Sequence, residues 1–154
     1  MVNVKETSRE TTLCLVGAHA LVRLDDGTIV GDPMEKTTLE ALEWKINPSG
    51  TVSPDSTSTP HRTSLTPRRR FQFSSALKRM SALATMPNGR GIAAVKGAPE
   101  TIRGMLAKVP EGYDDTYKWF TRRGSRVLAL GMKEYESLST EKACAIDLRC
   151  MAKC

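Results

Sequence analysis

Large aromatic side chains are scarce in this 154-residue chain, which holds three Phe, three Tyr and two Trp. With so few anchors, any ring left outside the core is a candidate for stacking on a ligand. Long apolar runs are missing as well. None approaches the roughly 20 residues a helix needs to cross a bilayer, so direct membrane insertion is not expected. Residues 1–10 are polar and lack the apolar centre of a signal peptide, which predicts a reducing, aqueous compartment. Cys144, Cys150 and Cys154 have no histidine near them and match no standard zinc spacing, so no metal site is expected. Cys14 stands alone in an apolar helical pattern and reads as a buried, reduced thiol. Glycine-rich phosphate loops are absent: there is neither Gly-x-x-x-x-Gly-Lys nor Gly-x-Gly-x-x-Gly. The two commonest nucleotide folds are thereby excluded.

What is present suits an ordinary folded domain. A chain of this length buries roughly 70% of its unfolded surface. The formal net charge of +6 favours an anionic partner, be it a nucleotide, a nucleic acid or a membrane surface. Bulk charge does not choose among them.

Along the chain, Leu13, Val16, Gly17, Ala20 and Leu24 fall at helical spacing and predict a helix over 8–24. Asp25-Asp26-Gly27 signals a tight turn before a short strand, Thr28 to Val30. Asp32 and Pro33 suit a helix start, and Leu39, Leu42 and Ile46 extend that helix toward Pro48. Residues 47–67 are rich in Ser, Thr and Pro and read as a flexible insertion. Strands are expected over Arg70–Ser75, Leu77–Thr85 and Gly91–Lys96, with a hairpin turn at Pro87-Asn88-Gly89. Helices follow from Ala98 to Lys108 and from Asp114 to Arg123, then a strand, Arg126–Leu130. Residues 138–152 are helix-compatible. Hairpin-linked strands with helices around them predict an α+β fold built on an antiparallel sheet.

Four short segments carry chemistry, and each has a plain alternative. Lys96-Gly97-Ala98-Pro99-Glu100 makes a good strand-to-helix connection. It also points an ammonium at a pocket whose floor is bare backbone at Gly97. Strict alternation puts Phe71 and Phe73 on one face, where both serve the core or one stacks on a base. Lys78 then meets a phosphate as a point charge. Glu35 stands in the capping-box position after Asp32, or accepts a hydrogen bond from an exocyclic amine. Arg126 is a surface charge or a fork for phosphate oxygens.

In this order and spacing the four segments resemble the nucleotide-binding domain of P-type ATPases. Lys96 to Glu100 matches that family's Lys-Gly-Ala-Pro-Glu hallmark, and Gly31-Asp32-Pro33-Met34-Glu35 is similar to its Gly-Asp-Pro-x-Glu segment. Phe73 to Ser81 looks like the phenylalanine-to-lysine stretch, and Gly124 to Leu130 like the late arginine strand. The wording of Leu24–Thr28, Ser75–Ser81 and Val127–Gly131 is most similar to the fifth class, endoplasmic-reticulum branch, which is implicated in extracting misinserted transmembrane helices.

The resemblance implies that the chain is one ATP-binding domain, 1–154, on the cytosolic face of the endoplasmic reticulum membrane. It implies that Phe73 stacks on adenine, Glu35 meets the base near its amine, and Lys96 and Gly97 form the pocket bottom. Lys78 and Arg126 steer the ribose and phosphates. The phosphorylated Asp-Lys-Thr-Gly-Thr and the Mg²⁺-binding Gly-Asp-Gly segments of the family do not occur here. The implied partners are therefore ATP and the phosphorylation and actuator domains of a parent enzyme, with Mg²⁺ held by the former. Phosphoryl transfer needs an in-line nucleophile and a metal clamp, so the chain alone is expected to bind ATP without hydrolysing it. Residues 136–154 depart from the pattern. The competing readings are a basic nucleic-acid-binding module using Arg68–Arg70, Lys78 and Arg79, and a truncated interaction fragment. The first requires steep salt dependence.

Overall fold

A computed structural model describes residues 6–55 and 63–137. The helix expected over 138–152 and Cys144, Cys150 and Cys154 lie outside the described residues. The fold is α+β and its sheets are antiparallel.

Helix α1 (Arg9–Gly17) is capped by Ser8, whose hydroxyl accepts from Thr11 N. It stops at Gly17, seven residues short of the length its periodicity suggested. Beyond it the chain enters a hairpin, β1 (Val22–Arg23) against β2 (Ile29–Val30), which closes on Gly27 at φ 88°. Pairing of the hairpin overrides helical propensity there, and Leu24 ends half-exposed rather than on a helix face.

Helix α2 (Pro33–Ala41) begins where the Asp-Pro pair predicts, with Asp32 accepting from Met34 N and Glu35 N. It ends earlier than expected, through Glu43 in the left-handed region at φ 58°. Strand β3 (Trp44–Ile46) follows and pairs with β4 (Val52–Pro54). Trp44 and Ile46 are buried while Lys45 points outward, so period-two alternation replaces the helical reading of Ile46.

This hairpin narrows the expected insertion. Residues 47–55 and 63–67 are structured, and Val52 and Leu65 are fully buried and joined by two backbone hydrogen bonds of 2.8 Å. Two apolar residues in a polar stretch suffice because each is seated in a core built by others.

The main sheet has the order β5-β6-β7-β8, a meander of β5 (Thr66–Ser74), β6 (Arg79–Thr85), β7 (Gly91–Gly97) and β8 (Ala129–Tyr135). Both its faces are covered. Ala84, Ile92 and Ala94 lie under α1, while Leu83, Ala93 and Val95 pack on Ile102 and Met105 at α3 (Pro99–Arg103). Hence β6 is buried continuously from Met80 to Thr85 rather than at alternate residues. Helix α4 (Tyr113–Thr121) is tied down by Tyr113 Oη donating to Pro99 O at 2.9 Å and by an Arg103–Asp114 ion pair. Strand β8 starts three residues later than expected. That delay leaves Arg126 to Leu128 outside the sheet and available to the cavity described below.

Candidate functional site

The end of the sheet marked by Lys96 and Leu130 meets the first turn of α2 across a cavity of about 400 Å³. That volume is within the usual range for small-molecule sites, roughly 300–1,000 Å³. Met34, Glu35 and Thr38 form its α2 wall, Met80, Lys96 and Leu130 its sheet floor, and Phe73, Arg126 and Leu128 its rim. Gly97 completes the floor.

The ring at 73 reaches this cavity because β5 is bulged. Phe71 pairs with Ser81 but Ser74 pairs with Arg79, so three steps on β5 span two on β6. The extra residue reverses the alternation. Phe71 therefore packs with Leu83, Val95 and Ile102 on the α3 face, with the Arg69 guanidinium 4.7 Å above its ring. Phe73 lies on the opposite side, lines the cavity and stays 61% exposed. The expectation that the two rings share a face is thus corrected. One packs against the core and the other is free to stack.

At the floor, Lys96 Nζ donates to Glu35 Oε1 at 2.5 Å, with the two side chains only 16% and 11% exposed. Glu35 Oε2 accepts from Ala20 N at 2.8 Å. Asp32 alone caps the helix, so Glu35 is not used as a capping-box partner; it turns into the cavity instead. A carboxylate offers about four acceptor positions and an ammonium three donors, so both keep spare capacity for a ligand.

Gly97 has a packing reason to be glycine. A side chain there would run into the Lys78 carbonyl oxygen and stand 2.8 Å from Arg79 Cβ. Ala98 N donates to the same carbonyl at 2.9 Å, so the Lys-Gly-Ala-Pro segment is pressed against the β5–β6 turn. Lys78 itself occupies that turn in the left-handed region at φ 50°, is exposed, and does not line the cavity. Five of the six expected residues thus converge: Glu35, Phe73, Lys96, Gly97 and Arg126.

Reading the sequence missed Met34, Met80, Leu128 and Leu130 as cavity walls, although each lies inside a segment singled out for other residues. It also missed His19 and Arg70, for which no local pattern gives a signal. Arg68, Arg69 and Arg70 do not form a common basic patch. Arg68 donates to Thr85 Oγ1, Arg69 covers Phe71, and Arg70 approaches His19. His19 is 1% exposed. Burial, and then the charges of Arg70 and Lys96, press its pKa down to about 3. Among the described residues no group of three His, Cys, Asp or Glu could hold a metal ion. No described helix is long and apolar enough to cross a membrane.

No protein-family model matches the chain. Individual proteins do. It is 51% identical, over 134 residues covering 86% of the chain, to the endoplasmic reticulum transmembrane helix translocase of Saccharomyces cerevisiae. It is 40% identical over 146 residues, 90% of the chain, to the translocase of the same description in Schizosaccharomyces pombe. A probable manganese-transporting ATPase of Arabidopsis thaliana is 39% identical over 136 residues, again 86% of the chain.

The chain is homologous to one segment of the P-type ATPases.

It spans about a tenth of the length of these relatives, 10% to 12%. The cavity-bearing α+β unit therefore corresponds to a small part of a transport ATPase.

Proposed function

We propose that this homologue of an ATPase segment is the nucleotide-binding domain of a P-type ATPase of the endoplasmic-reticulum branch, and that its cavity takes the adenosine end of ATP. The observation that carries the reading is the placement of an exposed ring, Phe73, on the same cavity as the Lys96–Glu35 pair. Adenine presents an amine donor beside a ring-nitrogen acceptor, whereas guanine puts a carbonyl where that amine stands. Glu35 accepts and Lys96 donates, so the floor is complementary to adenine. Phe73 covers one face of the base, and the thioether of Met34 and the side chain of Leu128 supply apolar wall. Arg126 at the rim meets phosphate oxygens with a bidentate fork. Lys78, on the turn beside Phe73, attracts the phosphates from outside the cavity as a point charge.

In this reading the γ-phosphate leaves the cavity toward an aspartate on the phosphorylation domain of the parent enzyme, where Mg²⁺ is held. The actuator domain completes the cycle, and the whole assembly works at the cytosolic face of the endoplasmic reticulum membrane. This chain contributes binding and orientation of the base.

The test is titration of the purified chain with a fluorescent ATP analogue, with competition by ATP, ADP and GTP. Phe73→Ala is expected to weaken binding at least about fivefold, the low end of base–aromatic stacking at 1–3 kcal/mol. Lys96→Ala is expected to weaken it by a similar factor, with folding checked by urea unfolding because the change strands Glu35. Full affinity in both folded variants would sink the assignment.

A further inference from the structure

Two places in the sequence put a serine two residues after a pair of cations: Lys78-Arg79-Met80-Ser81 and Arg122-Arg123-Gly124-Ser125. Serine kinases whose acceptor groove is lined with carboxylates recognise that arrangement, because the carboxylates pair with the two cations. The fold separates the two runs. Ser81 is 1% exposed within β6, in register with Phe71 on one side and Val95 on the other, so no enzyme reaches its hydroxyl. Ser125 is exposed, in a stretch without regular structure between α4 and β8.

The surroundings of Ser125 suit an acceptor. Helix α4 buries none of its residues, and its ties to α3 lie in its first turn: the Tyr113 Oη–Pro99 O hydrogen bond and the Arg103–Asp114 ion pair. Its other end is a surface turn. Gly124, at φ 79°, swings the chain out of the helix, and a side chain there would meet nothing within 4 Å. Arg122 is exposed. Arg123 lies 3.5 Å from the centre of the half-exposed Trp119 ring, a solvent-facing contact that an enzyme's carboxylate can replace. Segments with few buried contacts are the ones that open at low cost.

The next residue gives the position a consequence. Arg126 lines the cavity rim and, in the nucleotide reading, is the fork for phosphate oxygens. Consecutive Cα atoms lie about 3.8 Å apart, well inside the ~8 Å over which physiological salt screens charge. A phosphoserine carries about −1.5 to −2 charges at neutral pH and three acceptor oxygens. At position 125 it offers Arg126 an anion that is already tethered, and it repels a second anion arriving at the rim.

We propose that Ser125 is a phosphorylation site for an arginine-directed serine kinase, and that its phosphate captures Arg126 and turns down the binding of nucleotide phosphates at the cavity. In the transfer, Ser125 Oγ bonds to the γ-phosphorus of the kinase's ATP as the bond from that phosphorus to the β–γ bridging oxygen breaks. ADP leaves, and the hydroxyl proton passes to the kinase's base. The effect on binding rests on the nucleotide reading of the cavity; the modification and the capture of Arg126 do not.

The full 154-residue chain is incubated with ATP and the catalytic subunit of cyclic-AMP-dependent protein kinase, an arginine-directed enzyme, and phosphate is mapped by peptide mass spectrometry. A phosphate is expected on Ser125 and none on Ser81, and the Ser125 phosphate is expected to be lost when Arg122 and Arg123 are both changed to Ala. Chain with phosphoserine installed at 125 during synthesis then supplies two readouts. Without ligand, ³¹P NMR titration is expected to place the second phosphate ionisation below its ordinary value near 6, and Arg126→Gln to return it toward that value. With ligand, NMR titration is expected to show ATP bound about tenfold more weakly than by unmodified chain, the scale of one lost hydrogen bond to a charged group. Adenosine, which carries no phosphate, is expected to bind both forms equally. Ser125→Ala, which cannot accept phosphate, is expected to bind ATP as wild type does. A folded chain left unmodified at Ser125, or a phosphate ionisation indifferent to Arg126, would overturn the proposal. So would an ATP:adenosine affinity ratio unaltered by the phosphate, whether both affinities hold or both fall with a distorted loop. If unmodified chain binds neither ATP nor adenosine while the phosphate still titrates with Arg126, the modification and the capture stand and the adenine reading falls.

Discussion

Phe71 and Phe73 differ by two positions and by everything else. One ring is packed among Leu83, Val95 and Ile102, and the other stands at a cavity rim. Their alanine variants should therefore separate. Phe71→Ala is expected to lower unfolding free energy by about 2 kcal/mol, below the range for a fully buried Phe, with nucleotide affinity unchanged in the folded fraction. Phe73→Ala should show the reverse, and urea unfolding alongside analogue titration reads both. His19 supports a second prediction at this scale. Its folded pKa of about 3 lies below the ordinary 6.5, so between those values the unfolded chain binds a proton that the folded chain refuses. The stability it contributes is present above pH 6.5 and is lost as pH falls toward 3. Replacing His19 with Gln should flatten that part of the stability–pH curve measured by urea unfolding from pH 7 to pH 4. An unchanged slope would show that the imidazole does not titrate as its burial implies.

At the scale of elements, α2 links capping to the site. Asp32 holds the first turn by accepting from Met34 N and Glu35 N, and the same turn delivers Glu35 to Lys96. Asp32→Ala is expected to cost about 1 kcal/mol of stability, the usual value of an N-cap. It should also weaken nucleotide binding several-fold, because a frayed first turn no longer places the carboxylate. Loss of stability with full affinity would mean that Lys96 and Ala20 N hold Glu35 without help from the helix. The bulge in β5 acts in the same way on the sheet side, since one additional residue decides which ring meets the cavity.

On the scale of the molecule, the proposed nucleotide site at the Lys96–Glu35 cavity predicts saturable stabilisation. ATP at a hundred times its dissociation constant should add about 2.7 kcal/mol to unfolding free energy, visible as a rise in melting temperature. Phosphate release from the chain alone should stay at background, because the sequence contains no Asp-Lys-Thr-Gly-Thr nucleophile segment. The rival reading, a nucleic-acid module, predicts oligonucleotide binding that falls steeply with salt. The divergence of Arg68, Arg69 and Arg70 onto different partners argues against it, and oligonucleotide titration at two salt concentrations provides the check.

From residues alone, the α+β class, the starts of α2 and α3, the turn at Pro87-Asn88-Gly89 and the segments carrying Glu35, Phe73, Lys96, Gly97 and Arg126 were all legible. Those features rest on local chemistry: a cap before a proline, a turn dipeptide, alternation along a strand, a resemblance in short runs. Tertiary structure alone decided where α1 and α2 stop, that Val52 and Leu65 belong to the core, and that the two rings face opposite ways. It also placed Lys78 outside the cavity, and brought Arg70 beside the buried His19. Each of these depends on which strand lies beside which and in what register. Pairing energies between residues distant in the chain, and burial on both faces of a sheet, leave no periodic mark within any one segment.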